Sequence, residues 1–178
     1  MGWASIDVLP RPGPPRFLGF LAVVEGEGNV MQLSSPAFDD GEEIPRQYGY
    51  TEQNVNPPLQ VAGVPATAES LALIVDDPDA VEPAGKIWTH WLIWNIDPTV
   101  SEIPEDWGAV GATEGENDYG ETDYGGPNPP DGRHTYRFQL SALDTTLSLP
   151  AGATKDELET ELEGRTVAET VLTGTYAP

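Results

Sequence analysis

Cysteine is absent from this 178-residue chain, so no disulfide framework, iron–sulfur cluster or thiolate nucleophile can be built from it. Basic residues are scarce. Eight Lys and Arg stand against 30 Asp and Glu, and Lys86 and Lys155 are the only lysines. With no basic stripe to meet phosphate backbones or anionic lipid surfaces, nucleic acid and stable membrane association are poor partners. No apolar run approaches the ~20 residues that a membrane-spanning helix needs. The Gly-x-Ser-x-Gly elbow, the phosphate-cradling Gly-Lys-Ser/Thr loop and the dinucleotide fingerprint are all missing.

What the chain does have is acid and a core. The formal net charge is −22, while 38% of residues are hydrophobic and Gly and Pro recur throughout. That hydrophobic content suits one globular domain with a sizeable core. The acidic residues are scattered through the chain, not gathered in a tail, and such self-repulsion destabilises a compact state. Concentrated salt removes the penalty, because the Debye length falls to ~3 Å at 1 M. The composition therefore points to an acidic halophilic protein of a salt-rich cytoplasm.

The chemistry-bearing residues centre on the only two histidines, each beside a Pro-containing loop. His90 lies in Trp88-Thr89-His90-Trp91-Leu92-Ile93-Trp94-Asn95-Ile96, soon after Asp76-Asp77-Pro78-Asp79-Ala80. His134 opens His134-Thr135-Tyr136-Arg137-Phe138-Gln139-Leu140, just after Gly125-Gly126-Pro127-Asn128-Pro129-Pro130. Strict alternation in the second segment puts His134, Tyr136, Phe138, Leu140 and Ala142 on one face of a strand, with Thr135, Arg137, Gln139 and Ser141 on the other. Read the same way, His90 shares its face with Trp88, Leu92, Trp94 and Ile96, and Trp91 and Ile93 point the opposite way. A buried imidazole needs a partner for each ring nitrogen, and Asp77, at the end of the apolar run 70–75, is the candidate. The tryptophans of the first segment read as core, because a stacking platform for single strands also needs a basic groove.

These blocks, together with Met31-Gln32-Leu33-Ser34-Ser35-Pro36-Ala37-Phe38, Asn56-Pro57-Pro58-Leu59 and Leu172-Thr173-Gly174-Thr175-Tyr176, resemble the phosphatidylethanolamine-binding proteins, and most closely their bacterial and archaeal Raf-kinase-inhibitor-like branch. The resemblance implies a mostly β, antiparallel fold with a large central sheet, a smaller sheet and short helices near the C-terminus. It also implies an anion pocket formed by Asp77, His90, the loop from Gly126 through Pro129 to Pro130, His134 and Tyr136. Three positions depart from the family pattern. Val81 follows Asp-Pro-Asp-Ala where proline is frequent, and a cis bond there would cost about 2.5–4 kcal/mol, so the bond is expected to be trans. Asn128 stands where relatives often have Cys or another small residue, and Thr135 replaces the Arg of a usual His-Arg-Tyr.

Outside the blocks, residues 1–30 read as a dispensable N-terminal extension to a single domain at 31–178. Strands are predicted near 31–34, 59–62, 70–76, 88–96, 134–142 and 172–176, and loop with short extended pieces through 100–126. Thr154-Lys155-Asp156-Glu157 is a capping box for a helix over about 155–163, with Gly164 as its stop, and a second short helix is predicted over 166–171. Glu157, Glu159, Glu161 and Glu163 form a solvated face; Asp118, Asp123 and Asp131 are loop carboxylates able to attract a cation. The sequence thus points to a non-enzymatic protein that needs no cofactor and binds a small phosphorylated or carboxylated ligand. In that reading Tyr136, the histidines and backbone N–H groups near Gly126 act as donors. A kinase or protease as regulated partner is allowed by the resemblance. The alternative is a metal-dependent hydrolase in which His90, His134 and Asp77 are the ligands.

Overall fold

The computed structural model describes residues 30–178, so the extension expected at 1–30 lies, but for Val30, outside the described residues. In chain order the elements are β1 (Gln32–Ser34), β2 (Leu59–Ala62), β3 (Ser70–Asp77), the short helix α1 (Val81–Ala84), β4 (Trp88–Ile96), β5 (Glu102–Ile103), β6 (Thr113–Glu114), β7 (His134–Leu143), α2 (Lys155–Leu162) and β8 (Thr166–Tyr176). They form a five-stranded sheet in the order β6-β4-β3-β7-β8 and a three-stranded sheet in the order β1-β2-β5. Every strand pairing is antiparallel.

All eight residues of β3 are buried, because the large sheet is covered on both faces and β3 is its central strand. One face, carrying Leu71, Leu73, Val75, Tyr136, Phe138 and Leu140, packs with Leu33, Leu59 and Val61 of the small sheet. The other, carrying Ala72, Ile74, Leu92 and Trp94, packs beneath Leu158 of α2 and Leu147 and Ala153 of the segment before it. The capping box of α2 is formed as its sequence implies: Thr154 N–H donates to Glu157 Oε2 at 2.8 Å and Glu157 N–H to Thr154 Oγ1 at 3.4 Å. Gly164 closes the helix at φ +72°, a conformation that costs glycine little.

Two expectations are corrected. The helix predicted over 166–171 does not form. Residues 166–176 are one strand that pairs with the full length of β7, whose polar edge would otherwise be left without partners. The run Thr166-Val167-Ala168-Glu169-Thr170-Val171 is rich in β-branched residues, which suit a half-exposed strand. The second correction concerns His90. Val75 pairs with Trp91 but the next residue, Asp76, pairs with Thr89, so His90 is the extra residue of a β-bulge. The bulge breaks the alternation and turns His90 away from Leu92 and Trp94, toward the face of Tyr136, whose ring lies 5.1 Å away. A second register shift, between Leu71 and Leu73, likewise moves Ile96 to that face.

The candidate anion pocket

The site is built from the end of β3 outward. Asp76 and Asp77 are consecutive strand residues, so their side chains project to opposite faces. Asp77 Oδ1 accepts from the N–H groups of Asp79 (2.9 Å) and Ala80 (3.2 Å), capping the 3-10 turn Pro78–Ala80 that leads into α1. Its other oxygen, Oδ2, lies 2.7 Å from His134 Nδ1. Asp79 Oδ2 in turn accepts from Thr135 N–H at 2.8 Å, tying the turn to the start of β7. Asp77-Pro78-Asp79 is thus a bracket that fixes the two ends of the site, with proline at the first turn position, where no N–H is needed. The Ala80–Val81 bond is trans, as expected for the non-proline residue.

The bulge in β4 frees backbone groups that the loop after β6 satisfies. Thr89 N–H donates to Asp118 Oδ2 (2.7 Å), Asp118 N–H to Thr89 O (2.9 Å), and Gly125 N–H to His90 O (2.9 Å). The buried Asn117 side chain shapes this loop by accepting from Tyr119 and Glu121 N–H and donating to Asp123 O. Tyr119 is thereby hung over the site, stacked 3.9 Å from Tyr50 and edge-on to Trp88 and His90.

These pieces enclose a cleft of about 250 Å³ lined by Asp77, His90, Pro129, His134 and Tyr136, together with Trp88, Tyr119, Asn128 and Pro130. Five of the six residues expected from the sequence therefore converge. Gly126 does not line the cleft. A β-carbon there would collide with Tyr48 O and come within 2.7 Å of Tyr50 N, so the residue serves close backbone packing. Its N–H donates to Asn54 Oδ1 at 2.8 Å and that of Gly125 to His90 O, so neither of these two N–H groups is directed at the cleft. Tyr119 carried no signal in the sequence, since an aromatic in a Gly-rich loop has no periodicity to place it.

The two histidines differ in character. His90 is 2% exposed; burial lowers its pKa, against the opposing pull of Gly125 O. Its Nδ1 lies 2.6 Å from that carbonyl and so carries the proton, leaving Nε2 as the ring's acceptor. Burial also opposes charge on His134, but hydrogen bonds and attraction from Asp77 and Asp131 outweigh it and raise its pKa. His134 Nε2 is 2.9 Å from Asp131 Oδ1, so both ring nitrogens face carboxylates. Burial and the neighbouring Asp77 push the ionisation of Tyr136 upward, which keeps the phenol protonated as a donor.

The hydrolase alternative is not supported: among the described residues no group of three His, Cys, Asp or Glu side chains is placed to hold a metal ion. Asp118, Asp123 and Asp131 are likewise engaged separately, with Lys86, the Tyr124 N–H and His134. Every described Lys and Arg is within salt-bridge distance of a carboxylate. No described helix is long and apolar enough to cross a membrane.

Comparison with known proteins agrees with this architecture. A family model described as phosphatidylethanolamine-binding protein matches residues 34–177. A UPF0098 protein of Methanothermobacter thermautotrophicus is 45% identical over 151 residues, covering 82% of this chain and 98% of the relative. Among solved structures, a phosphatidylethanolamine-binding protein homologue from Chlamydia trachomatis is 42% identical with a TM-score of 0.77, covering 83% of this chain and 97% of its own. YbcL of Escherichia coli, described as a member of the mammalian family, is 30% identical with a TM-score of 0.76, covering 82% and 97%. With the family model matching residues 34–177 and bacterial and archaeal relatives at 30–45% identity over most of its length, the chain belongs to the phosphatidylethanolamine-binding protein family.

Proposed function

We propose that this protein is a non-enzymatic receptor for a small anionic group, a phosphate or carboxylate carried by a metabolite or partner. The observation that supports it best is the convergence of Asp77, His90, His134 and Tyr136, from three strands, on one cleft walled by Trp88, Tyr119 and Pro129. The cleft is rich in fixed donors. Tyr136 offers its hydroxyl, and His134, whose ring nitrogens are held by Asp77 and Asp131, becomes a donor to a ligand when the exposed Asp131 carboxylate gives way. Trp88 lines the cleft, and its buried Nε1 has no partner among the described residues. His90, neutral with Nε2 as acceptor, suits a ligand oxygen that still carries a proton. The family's printed name adds that a phosphate-bearing group is a fitting occupant.

Since no described Lys or Arg is free to supply long-range attraction, affinity rests on short directed hydrogen bonds. Tyr136→Phe and His134→Ala should therefore each weaken binding of a phosphorylated small molecule by about 1–3 kcal/mol, the range for hydrogen bonds to charged groups. Thr135→Ala, whose side chain points to the other face, should change it little. Titration calorimetry in molar KCl measures all three, and equal losses in the Thr135 and Tyr136 variants would remove the site.

A further inference from the structure

His134 cannot serve an external anion as it stands. One ring nitrogen is held by Asp77, which is itself buried and committed to the turn, and the other by Asp131. The two carboxylates are not equivalent. The Asp77 side chain is 4% exposed, whereas that of Asp131 is 51% exposed, on a loop between Pro130 and Gly132. Rotation of the Asp131 side chain alone would carry its carboxylate into water and uncover Nε2–H of a histidine that is otherwise 6% exposed. Asp131 is also the only one of the two whose withdrawal breaks no backbone cap.

We infer that the Asp131 carboxylate is a resident stand-in for the ligand anion at His134 Nε2, which an anion must displace before it can use that donor, and that it thereby selects phosphate over carboxylate ligands. This rests on the anion-receptor reading and sharpens it. A group tethered three residues from His134 competes at an effective concentration on the order of millimolar or above. A free carboxylate makes the same hydrogen bond with the same single charge, so it has no advantage with which to win that contest. A phosphate group has more charge and a third oxygen able to accept from a further donor of the same cleft, such as the Tyr136 hydroxyl. Expelling Asp131 removes one of the two carboxylates beside His134, which would otherwise repel the incoming anion.

The test is ligand titration by calorimetry and NMR in 2 M KCl, with inorganic phosphate and acetate as probes. Wild-type protein should bind phosphate and show no measurable acetate binding. Asp131→Ala should bind phosphate at least tenfold more tightly and acquire acetate binding. Asp131→Asn, which keeps a neutral acceptor, should fall between them. Glu163→Ala, an exposed carboxylate on the rim of α2, should match wild type and so separate plug removal from a change in overall charge. Unchanged or weaker phosphate affinity in Asp131→Ala, or acetate binding by wild type equal to phosphate, overturns the plug while leaving the receptor reading intact. Absence of phosphate binding in both wild type and Asp131→Ala overturns the receptor reading and the plug with it.

Discussion

Replacing Asp76 with alanine should lower the stability of the fold by about 2–4 kcal/mol, measured by chemical unfolding. Asp76 is 0% exposed, and both its oxygens are used: Arg137 Nε and Nη2 approach at 2.8 Å each, and Lys155 Nζ at 2.6 Å. Removing one partner of a buried ion pair typically costs 3–5 kcal/mol, because the remaining charge loses its compensation. The Arg137 side chain is 34% exposed and can recover part of its hydration, which places the expected loss slightly lower. The same substitution unties α2, through Lys155, from the centre of the sheet. Because the group is buried, salt screens it little, and the loss should persist in molar KCl. A loss under 1 kcal/mol would mean that the triad is ornamental to the fold.

The opposite salt behaviour is expected of the molecule as a whole. With a net charge of −22, lowering KCl from about 2 M to about 0.1 M lengthens the Debye screening to ~10 Å, and carboxylates one or two side chains apart begin to repel. At a few tenths of a kcal/mol for each neighbouring like-charge pair, roughly ten such pairs amount to a loss on the order of 3 kcal/mol. That is a fall in melting temperature of ~10 °C for a domain of this size. Melting temperatures that do not move across this range would show that the acidity has no connection with salt. The exposed pairs, such as Arg46 with Glu52 and Arg133 with Glu43, should contribute little in either condition.

Much of this architecture is legible in the sequence where a periodic rule applies without interruption. The alternation of β7 places His134 and Tyr136 with Phe138, Leu140 and Ala142, and the core contains those side chains on one face. The capping box locates α2 because it is a local pattern whose hydrogen bonds close within four residues. What fails is whatever depends on distant partners. The bulge at His90 arises because Asp118 and Gly125, some 30 residues on, satisfy the backbone groups that the irregularity frees. Residues 166–171 become strand since β7 offers them a complete ladder, overriding a helical reading of an ambiguous run. The cleft residue Tyr119 and the contact between Asp131 and His134 depend on loop geometry that no period encodes. Asp77 is legible as a histidine's partner, yet its second duty, capping the turn that bears Asp79, appears only in three dimensions.

A small anion is expected to enter the cleft bounded by Asp77, His90, His134 and Tyr136. A backbone amide NMR titration with inorganic phosphate in 2 M KCl tests it most directly, because it locates the ligand without any substitution. The opposite face of the sheet supplies an internal comparison, since the groove there is lined by Lys86, Arg137 and Lys155. Saturable shifts are expected, concentrated at Asp77, Trp88, His90, Tyr119, Asp131, His134 and Tyr136, with little change around Lys86 and Lys155. Shifts confined to the Lys86–Lys155 groove, or none that saturate, would contradict it.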